Sequence, residues 1–355
     1  MTATTDVEIV DWSAAASLAG RVAPPGPVAP RAELEALVGS LRSAARRAVA
    51  PVQDVTGLVP ATPGDASVLV VDRARWARAN TEIMATVAQG ALEAVLGDRP
   101  APPGPTALVG AAQVGSVLAL LSSRVLGQFD PYTDPGGAGR LLLVAPNLLA
   151  AEQRLGVDPE DFRLWVCLHE QTHALQFAAA PWLGEHLASV TRDLLADLAH
   201  DTRELGESRF RDKLRALVSA LSAAVRGDGQ ALLAGIVSDE DRARLADVTA
   251  VMALLEGHAD VAMDDVGPAL VPSVRDIRAR FEARRDGAGR ADVVVRRLLG
   301  VEAKIAQYRD GAAFVRAVTD RVGQDGLNAA FSGPTALPTA AEIADPRAWV
   351  RRVHG

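Results

Sequence analysis

From Asp158 almost to the C-terminus, hydrophobic residues recur at the spacing of α-helices, and this pattern constrains the fold more than any other feature of the chain. Short stretches with glycine or proline interrupt it near Pro181, 227–229, 267–268, 287–289 and 333–334. Aromatic residues make up only 4% of the 355 residues, while alanine and leucine are abundant, as is typical of packed helices. The sequence therefore predicts a mainly α fold, placed in the α+β class because a few short strands are also expected.

The N-terminal part of the chain mixes helical and extended patterns. Closely spaced prolines in residues 20–30 remove backbone donors and disfavour a helix. We therefore predict an extended segment over residues 1–30, followed by a single mostly helical domain over residues 31–355. The elements predicted in the first part of that domain are helices at 31–49, 75–96 and 106–123 and strands at 67–72 and 141–144.

Charge and cysteine usage argue against several classes of function. The formal net charge of −7 disfavours wholesale binding to nucleic acid or to an anionic membrane. The single cysteine, Cys167, excludes an internal disulfide and fits a reducing compartment. Asp6, Glu8 and Asp11 stand where a secretory signal needs basic residues and an apolar run. These features predict a cytoplasmic protein.

Two segments have the composition of membrane-spanning or polyanion-binding sequences. Residues 101–123 lack charged side chains, but prolines shorten the apolar run, so we predict a core helix that packs through Gly110 and Gly115 and does not span a membrane. Residues 275–297 are rich in arginine, but acidic residues are interleaved with them. This pattern predicts a solvated helix face.

The most informative helix is predicted over residues 158–180. Asp158 is a good N-cap, and Pro159 suits the first helical position because its missing N–H has no partner there in any case. Within this helix, residues 169–173 are His-Glu-Gln-Thr-His, which is the H-E-x-x-H pattern.

Helix geometry gives this pattern its chemistry. Side chains four residues apart diverge by only about 40°, so His169 and His173 project side by side and can share one tetrahedral zinc ion. Glu170 is offset by about 100°, poorly aimed for a ligand but able to act as general base on a zinc-bound water that attacks a carbonyl. The alternative is a pair of ordinary core histidines, since both share a stripe with Trp165 and Phe177, but buried imidazoles would then need other polar partners.

A third protein ligand is expected on a second helix, predicted over residues 239–265 with Ser238 as its cap. Glu256 lies in the apolar stripe of that helix, where a carboxylate is costly unless it is paired or bound to a metal. We therefore predict that His169, His173 and Glu256 bind Zn²⁺. A purely structural Glu256 remains an alternative.

Polar residues near Glu256 have further candidate roles. Asp260 lies one turn later, where its carboxylate could accept a hydrogen bond from the free nitrogen of a liganding histidine. His258, rotated away by two residues, is the main alternative as third ligand and a candidate donor to an oxyanion. Tyr308 and His186 are further candidates for that donor role.

The motif at residues 169–173 and the sequence LLEGHAD at residues 254–260 resemble those of the glutamate-type zincin metallopeptidases. Members of that class carry H-E-x-x-H on one helix and E-x-x-x-D on a later one. The resemblance implies the same roles for the matching residues: ligands His169, His173 and Glu256, general base Glu170 and ligand-orienting carboxylate Asp260.

Nearly the whole chain also resembles an actinobacterial family of zincin-like hydrolases, whose members carry names as zinc-dependent metalloproteases or as proteins associated with deazaflavin-coenzyme biosynthesis. The resemblance implies a largely helical fold around a zincin-type site. A departure from better-known zincins is the long stretch between His173 and Glu256, whose extra helices could cover the site and disfavour large protein substrates. Segments that carry the resemblance include VDWSAAASLAGRVAPPGP, LVVDRARWARAN, VLGQFDPY, RLLLVAPN and RRLLGVEAKIAQYRDGAAFV.

These features favour a zinc-dependent hydrolase, most simply a metallopeptidase, that acts on a peptide or a small amide. One alternative is a metal-stabilised helical binding or scaffold protein without catalysis, which buried histidines would suit equally well. A second alternative is a binding role in deazaflavin-coenzyme metabolism. It rests on the family resemblance alone, because the chain has no recognised glycine-rich phosphate loop.

Overall fold

The computed structural model describes residues 10–61, 64–96, 104–134, 137–203, 239–286 and 301–355. The mainly α prediction with a few short strands is confirmed. The helices in these ranges are α1 (Trp12–Val22), α2 (Arg31–Thr56), α3 (Arg73–Leu96), α4 (Gly104–Leu121), α5 (Ala145–Leu155), α6 (Pro159–Ala179), α7 (Trp182–Arg203), α8 (Asp239–Val266), α9 (Val274–Asp286), α10 (Val301–Asn328), α11 (Ala340–Ala344) and α12 (Pro346–His354), and the strands are β1 (Ser67–Val71), β2 (Gly127–Asp130) and β3 (Arg140–Val144).

Helix α1 corrects the prediction of an extended N-terminal segment. Its N-cap is Asp11, whose carboxylate accepts a hydrogen bond from the backbone N–H of Ala14 at 2.8 Å. Its small alanines allow close packing on α4, where a Cβ atom added to Gly115 would lie 2.8 Å from the Ala15 carbonyl oxygen. The prolines act only after this helix, and residues 24–30 lack regular structure.

The sheet has the strand order β1-β3-β2. Strand β3 pairs in parallel with β1, with Ser67 opposite Arg140, and antiparallel with β2, with Gly127 opposite Leu143. The predicted strands at 67–72 and 141–144 correspond to β1 and β3, whereas β2 was not predicted. Strand β2 packs against α6 and so brings the sheet to the H-E-x-x-H helix.

Helix α6 is the central helix of the main core, which explains why its sequence is apolar on nearly all sides. The Asp158 carboxylate accepts a hydrogen bond from the backbone N–H of Asp161 at 3.0 Å and so caps the helix as predicted. Cys167 is buried, with its Sγ 3.9 Å from the Leu41 carbonyl oxygen, and burial raises the pKa of its thiol. The cysteine is therefore a core residue held as a neutral thiol.

Helix α8 lies between α6 and α10 and presents Glu256 to α6. Its backbone touches α10 directly: a Cβ atom added to Gly311 would lie 1.9 Å from the Ala253 carbonyl oxygen, and one added to Gly257 would lie 2.1 Å from the Gly311 carbonyl carbon. Only glycine allows such an approach, so this contact fixes the helix next to Glu256. The predicted cap Ser238 lies outside the described residues.

The two segments of unusual composition have surface positions. Helix α4 packs through Gly115 as predicted, but its other face exposes Leu108, Val109 and Leu120, so it is a surface helix and not a fully buried one. In the part of the chain that the structure describes, no helix is long and apolar enough to cross a membrane. The described part of the arginine-rich segment lies in helix α9, which exposes Arg275 and Arg280 and buries Ile277 in the core.

Candidate metal centre

The structure brings three side chains of two helices together, His169 and His173 from α6 and Glu256 from α8. The two Nε2 atoms lie 3.2 Å apart, and the Glu256 Oε2 lies 3.4 Å from that of His169 and 3.6 Å from that of His173. Ligand atoms about 2.0–2.1 Å from a tetrahedral zinc ion are about 3.3–3.4 Å from one another. The three distances therefore match the spacing of three corners of a zinc tetrahedron.

The Glu256 carboxylate provides an independent test of this fit. Its Oε2 is buried and has no hydrogen-bond partner in the described part of the chain. A buried carboxylate oxygen that accepts no hydrogen bond depends on nearby positive charge, which a protonated imidazole or a cation bound between the three atoms would supply. Two imidazole nitrogens and one carboxylate oxygen are also a common zinc ligand set, so the residues fit a zinc ion.

His169, His173 and Glu256, called the metal-ligand group below, influence one another's charge strongly. Burial alone would lower the pKa of His173, but the adjacent Glu256 carboxylate outweighs it and raises this pKa to about 9. Burial alone would raise the pKa of Glu256, but the adjacent imidazoles of His169 and His173 hold it well below its usual value. Without metal, the group therefore exists as an imidazolium–carboxylate pair at neutral pH.

Gln176 fixes which nitrogen of His173 faces the group. The fully buried Gln176 amide donates through Nε2 to the Leu255 carbonyl oxygen at 2.9 Å, which can only accept. Its Oε1 therefore faces His173 Nδ1, at 2.9 Å, and accepts the proton of that nitrogen. In the neutral ring Nε2 then keeps its lone pair, which points at the other two ligands.

Glu170 lies on α6 between the two histidines, buried against the first residue of β2. A Cβ atom added to Gly127 would lie 2.6 Å from Glu170 Oε1, closer than real Cβ atoms approach such atoms. The absence of a side chain at Gly127 thus makes room for the Glu170 carboxylate. The negative charge of Glu170 also contributes to the raised pKa of His173, which places it in the electrostatic field of the group.

His258, the alternative third ligand, is not part of the metal-ligand group found in the described residues. It is buried, and its Nδ1 accepts a hydrogen bond from Gln176 Nε2 at 3.1 Å. Its ring packs against Phe331, and burial together with the nearby His173 charge lowers its pKa to about 4. His258 is therefore a neutral neighbour of the group whose Nδ1 supports Gln176.

Asp260, which was predicted to orient a ligand histidine, binds an arginine. Its Oδ1 accepts a hydrogen bond from Arg278 Nη1 at 3.0 Å, whereas His173 Nδ1 donates to Gln176 Oε1. Arg278 of α9 takes the carboxylate because a charged partner offsets the cost of partial burial. His186 packs its ring against Trp182 in the first turn of α7, with centroids 5.9 Å apart. Tyr308 lies in α10, and its side chain is outside the described residues.

Two residues of the site, Gln176 and Gly127, were not predicted from the sequence. Gln176 lies three positions after His173, which is the same side of a helix, so its position was available as a signal. Gly127 carried no signal, because its strand is only four residues long and its neighbour Glu170 is distant in sequence.

An H-E-x-x-H helix that meets a glutamate from a later helix, with a small sheet beside it, is the arrangement of residues typical of zincin metal sites. The chain belongs to the zincin-like metallopeptidase family, whose family model matches residues 10–350. No curated protein matches it. The chain is also similar to a crystal structure from Chloroflexus aurantiacus, with a TM-score of 0.65 and 29% identity over 97% of this chain and 98% of that chain. That protein is described as having a novel fold and is provisionally assigned as a hydrolase.

Proposed function

We propose that the protein is a zinc-dependent hydrolase that cleaves a peptide or amide bond. The observation that carries this proposal is the convergence of His169, His173 and Glu256, whose two Nε2 atoms and one Oε2 atom lie 3.2–3.6 Å from one another. That Oε2 accepts no hydrogen bond from the described part of the chain. The family supports metallopeptidase chemistry, and the similar Chloroflexus protein carries a provisional assignment as a hydrolase.

The residues of this chain divide the work in the proposed reaction. His169, His173 and Glu256 would hold zinc, and Gln176 keeps the Nε2 lone pair of His173 available. Zinc, when bound, supplies a Lewis acid that polarises the scissile carbonyl and makes water more acidic.

Glu170 is the proposed general base. From its site beside Gly127, it would accept a proton from the attacking water and later deliver it to the leaving amine. The Glu170 side chain is buried, and Gly127 of β2 lies against its carboxylate. A base so held needs little reorganisation as the proton moves.

Metal analysis of the purified protein tests the ligands. We expect about one zinc ion per chain in the wild type, and its loss in His173→Ala and Glu256→Ala, since three protein ligands are needed for a catalytic zinc site. Asp260→Ala is the matched control, because that carboxylate binds Arg278 and should leave the zinc content unchanged. Full zinc occupancy in both ligand variants would refute the proposed centre.

Catalysis is tested with Glu170→Gln. This variant should keep stoichiometric zinc and lose about 10²–10⁴-fold in kcat/KM on a peptide found by library screening, the range typical of a general base. Full hydrolysis by Glu170→Gln would refute the assigned role. A wild-type protein that binds zinc and is stabilised by it, yet cleaves no member of a peptide and amide library, would instead be a metal-stabilised binding protein.

A further inference from the structure

Helix α8 binds the Gln176 amide at two points. Gln176 Nε2 donates to the Leu255 carbonyl oxygen at 2.9 Å and to His258 Nδ1 at 3.1 Å. A primary amide nitrogen carries two protons, so these two acceptors use both of them. Leu255 and His258 are three residues apart and therefore lie on one side of α8. The same short segment of α8 thus supplies both acceptors and the proposed ligand Glu256.

Hydrogen bonding also determines the tautomer of the His258 ring. Because Gln176 Nε2 is a donor, His258 Nδ1 must carry a lone pair, and the proton of the neutral ring is on Nε2. The ring is buried and packs on Phe331, with centroids 5.6 Å apart. Gln324 Nε2, which donates to Asn328 Oδ1 at 3.2 Å, lies 3.5 Å from His258 Nε2. Two donor nitrogens do not bond to each other, so the hydrogen bond that orients Gln176 is the one that matters for this ring.

The two acceptors of α8 prevent the Gln176 amide from turning over. A turned amide would bring its Oε1 against the Leu255 carbonyl oxygen and His258 Nδ1, which both accept and cannot donate. It would also bring its Nε2 against His173 Nδ1, which would then have to accept. In the neutral ring the His173 proton would move to Nε2, and that nitrogen would lose the lone pair needed to bind a cation. The orientation of this amide therefore decides whether His173 can be a metal ligand.

We propose that His258 is a positioning residue, whose Nδ1 holds the Gln176 amide in the orientation that keeps the Nε2 lone pair of His173 free for zinc. This role differs from those of third ligand and oxyanion donor, because His258 would act through Gln176 and touch neither zinc nor substrate. The inference rests on the proposed function only through its metal centre, and it needs no assumption about catalysis.

Two substitutions of His258 separate hydrogen bonding from packing. His258→Asn loses the ring but keeps an acceptor, because the new Oδ1 can lie where Nδ1 lies in histidine. His258→Phe keeps a ring against Phe331 but has no acceptor. Gln324→Leu is the matched control, since it changes the other side of the same ring and leaves the Gln176 amide alone. Competition against a chelator gives the zinc Kd of each full-length variant, and urea unfolding establishes that each one folds.

We expect His258→Phe to weaken zinc binding about three- to tenfold, which is less than the 10–100-fold typical of losing a direct partner of a ligand. His258→Asn and Gln324→Leu should keep a zinc Kd within about twofold of the wild type. The visible spectrum of the cobalt-substituted protein should change in His258→Phe and not in His258→Asn. In the double variant with Gln176→Leu, His258→Phe should add no further loss of zinc affinity, because it acts only through Gln176.

The remaining outcomes overturn the positioning role, and one of them also overturns the metal centre. Normal zinc binding by His258→Phe with weak binding by His258→Asn would mean that the ring serves packing alone. Additive losses in the double variant would mean that His258 acts independently of Gln176. Complete loss of zinc from both His258 variants would make His258 a ligand. If the wild type binds no zinc, the proposed function fails together with this inference, whereas normal binding by all single variants overturns the positioning role alone.

Discussion

At the residue scale, the lack of a side chain at Gly127 determines where the Glu170 carboxylate can lie. In Gly127→Ala, the new Cβ would stand 2.6 Å from Glu170 Oε1, so the carboxylate must move while the three proposed ligands keep their places. We expect normal zinc content and a fall of at least about tenfold in kcat/KM, because a general base contributes about 10²–10⁴-fold when correctly placed. Metal analysis and turnover of a cleavable peptide measure the two effects.

A glycine in open surroundings provides the control for that substitution. The added Cβ in Gly333→Ala meets nothing within 4 Å, and the backbone φ of 174° at this position is one that any residue adopts. This variant should match the wild type in zinc content and turnover. Wild-type activity in Gly127→Ala would mean that Glu170 has no role that depends on its position.

Gln176 gives a second prediction at this scale. Gln176→Leu removes the acceptor of His173 Nδ1, so the ring can turn or change tautomer, and zinc affinity should fall about 10–100-fold. Gln176→Glu keeps an acceptor and should lose less. Competition against a chelator of known affinity gives the zinc Kd, and the visible spectrum of the cobalt-substituted protein reports ligand geometry. Equal zinc Kd values for Gln176→Leu and the wild type would contradict the role of Gln176.

The same residues indicate how far sequence reasoning reaches. The pairing of His169 with His173 follows from the period of a helix, and the cost of burying Glu256 points to its partnership with them. The pairing of Asp260 with Arg278 could not be predicted, also for a physical reason. Its spacing put it on a suitable side of its own helix, but nothing local in the sequence indicates that Arg278, on the next helix, would take its carboxylate.

At the scale of elements, prediction succeeded where a long periodic pattern was bounded by caps. Helices α6 and α8 agree with their predicted ranges because each has many turns of consistent apolar spacing. Strand β2 was missed because its four residues are too few to show alternation. Helix α1 was not predicted because it spans only 11 residues before the prolines that follow Val22.

The close contact between α8 and α10 predicts that a side chain at Gly311 lowers the stability of the protein. Gly311→Ala would place a Cβ 1.9 Å from the Ala253 carbonyl oxygen, so the two helices must separate. Overpacking of this kind costs about 1–3 kcal/mol, and we expect the free energy of unfolding in urea to fall by at least that amount. Gly39→Ala, also within a helix but in open space, should instead stabilise by up to about 1 kcal/mol. Equal stability of Gly311→Ala and the wild type would contradict close helix contact.

At the scale of the whole molecule, the site exists because elements far apart in the chain meet at α6. The three proposed ligands come from α6 and α8, and Gly127 of β2 leaves space for the Glu170 carboxylate. Gln176 of α6 is hydrogen-bonded to the Leu255 carbonyl oxygen of α8 and so joins the two helices. The sequence predicted that α6 and α8 meet, but it did not predict that β2 packs on α6 or that α10 packs on α8. Neighbours are chosen by the shapes of apolar faces and by close contacts such as that of Gly311, and a single sequence does not reveal either.

Because the charges of His173 and Glu256 are coupled, both zinc binding and the stability of the whole fold should depend on pH. In the metal-free chain the pKa of His173 is raised to about 9, above its usual 6.5, so its interaction with Glu256 stabilises the fold fully below pH 6.5, and that stability is lost as the pH rises through 9. Zinc needs the neutral imidazole, so uptake at pH 7 should release about one proton from His173, against about a quarter of a proton for an ordinary histidine.

Calorimetry in buffers of different ionisation enthalpy measures the number of protons released on zinc binding. Urea unfolding of the metal-free protein at pH 6 and 9 gives the matching loss of stability, which Glu256→Gln should abolish. Release of well under half a proton, together with a flat stability profile in the wild type, would contradict the coupling.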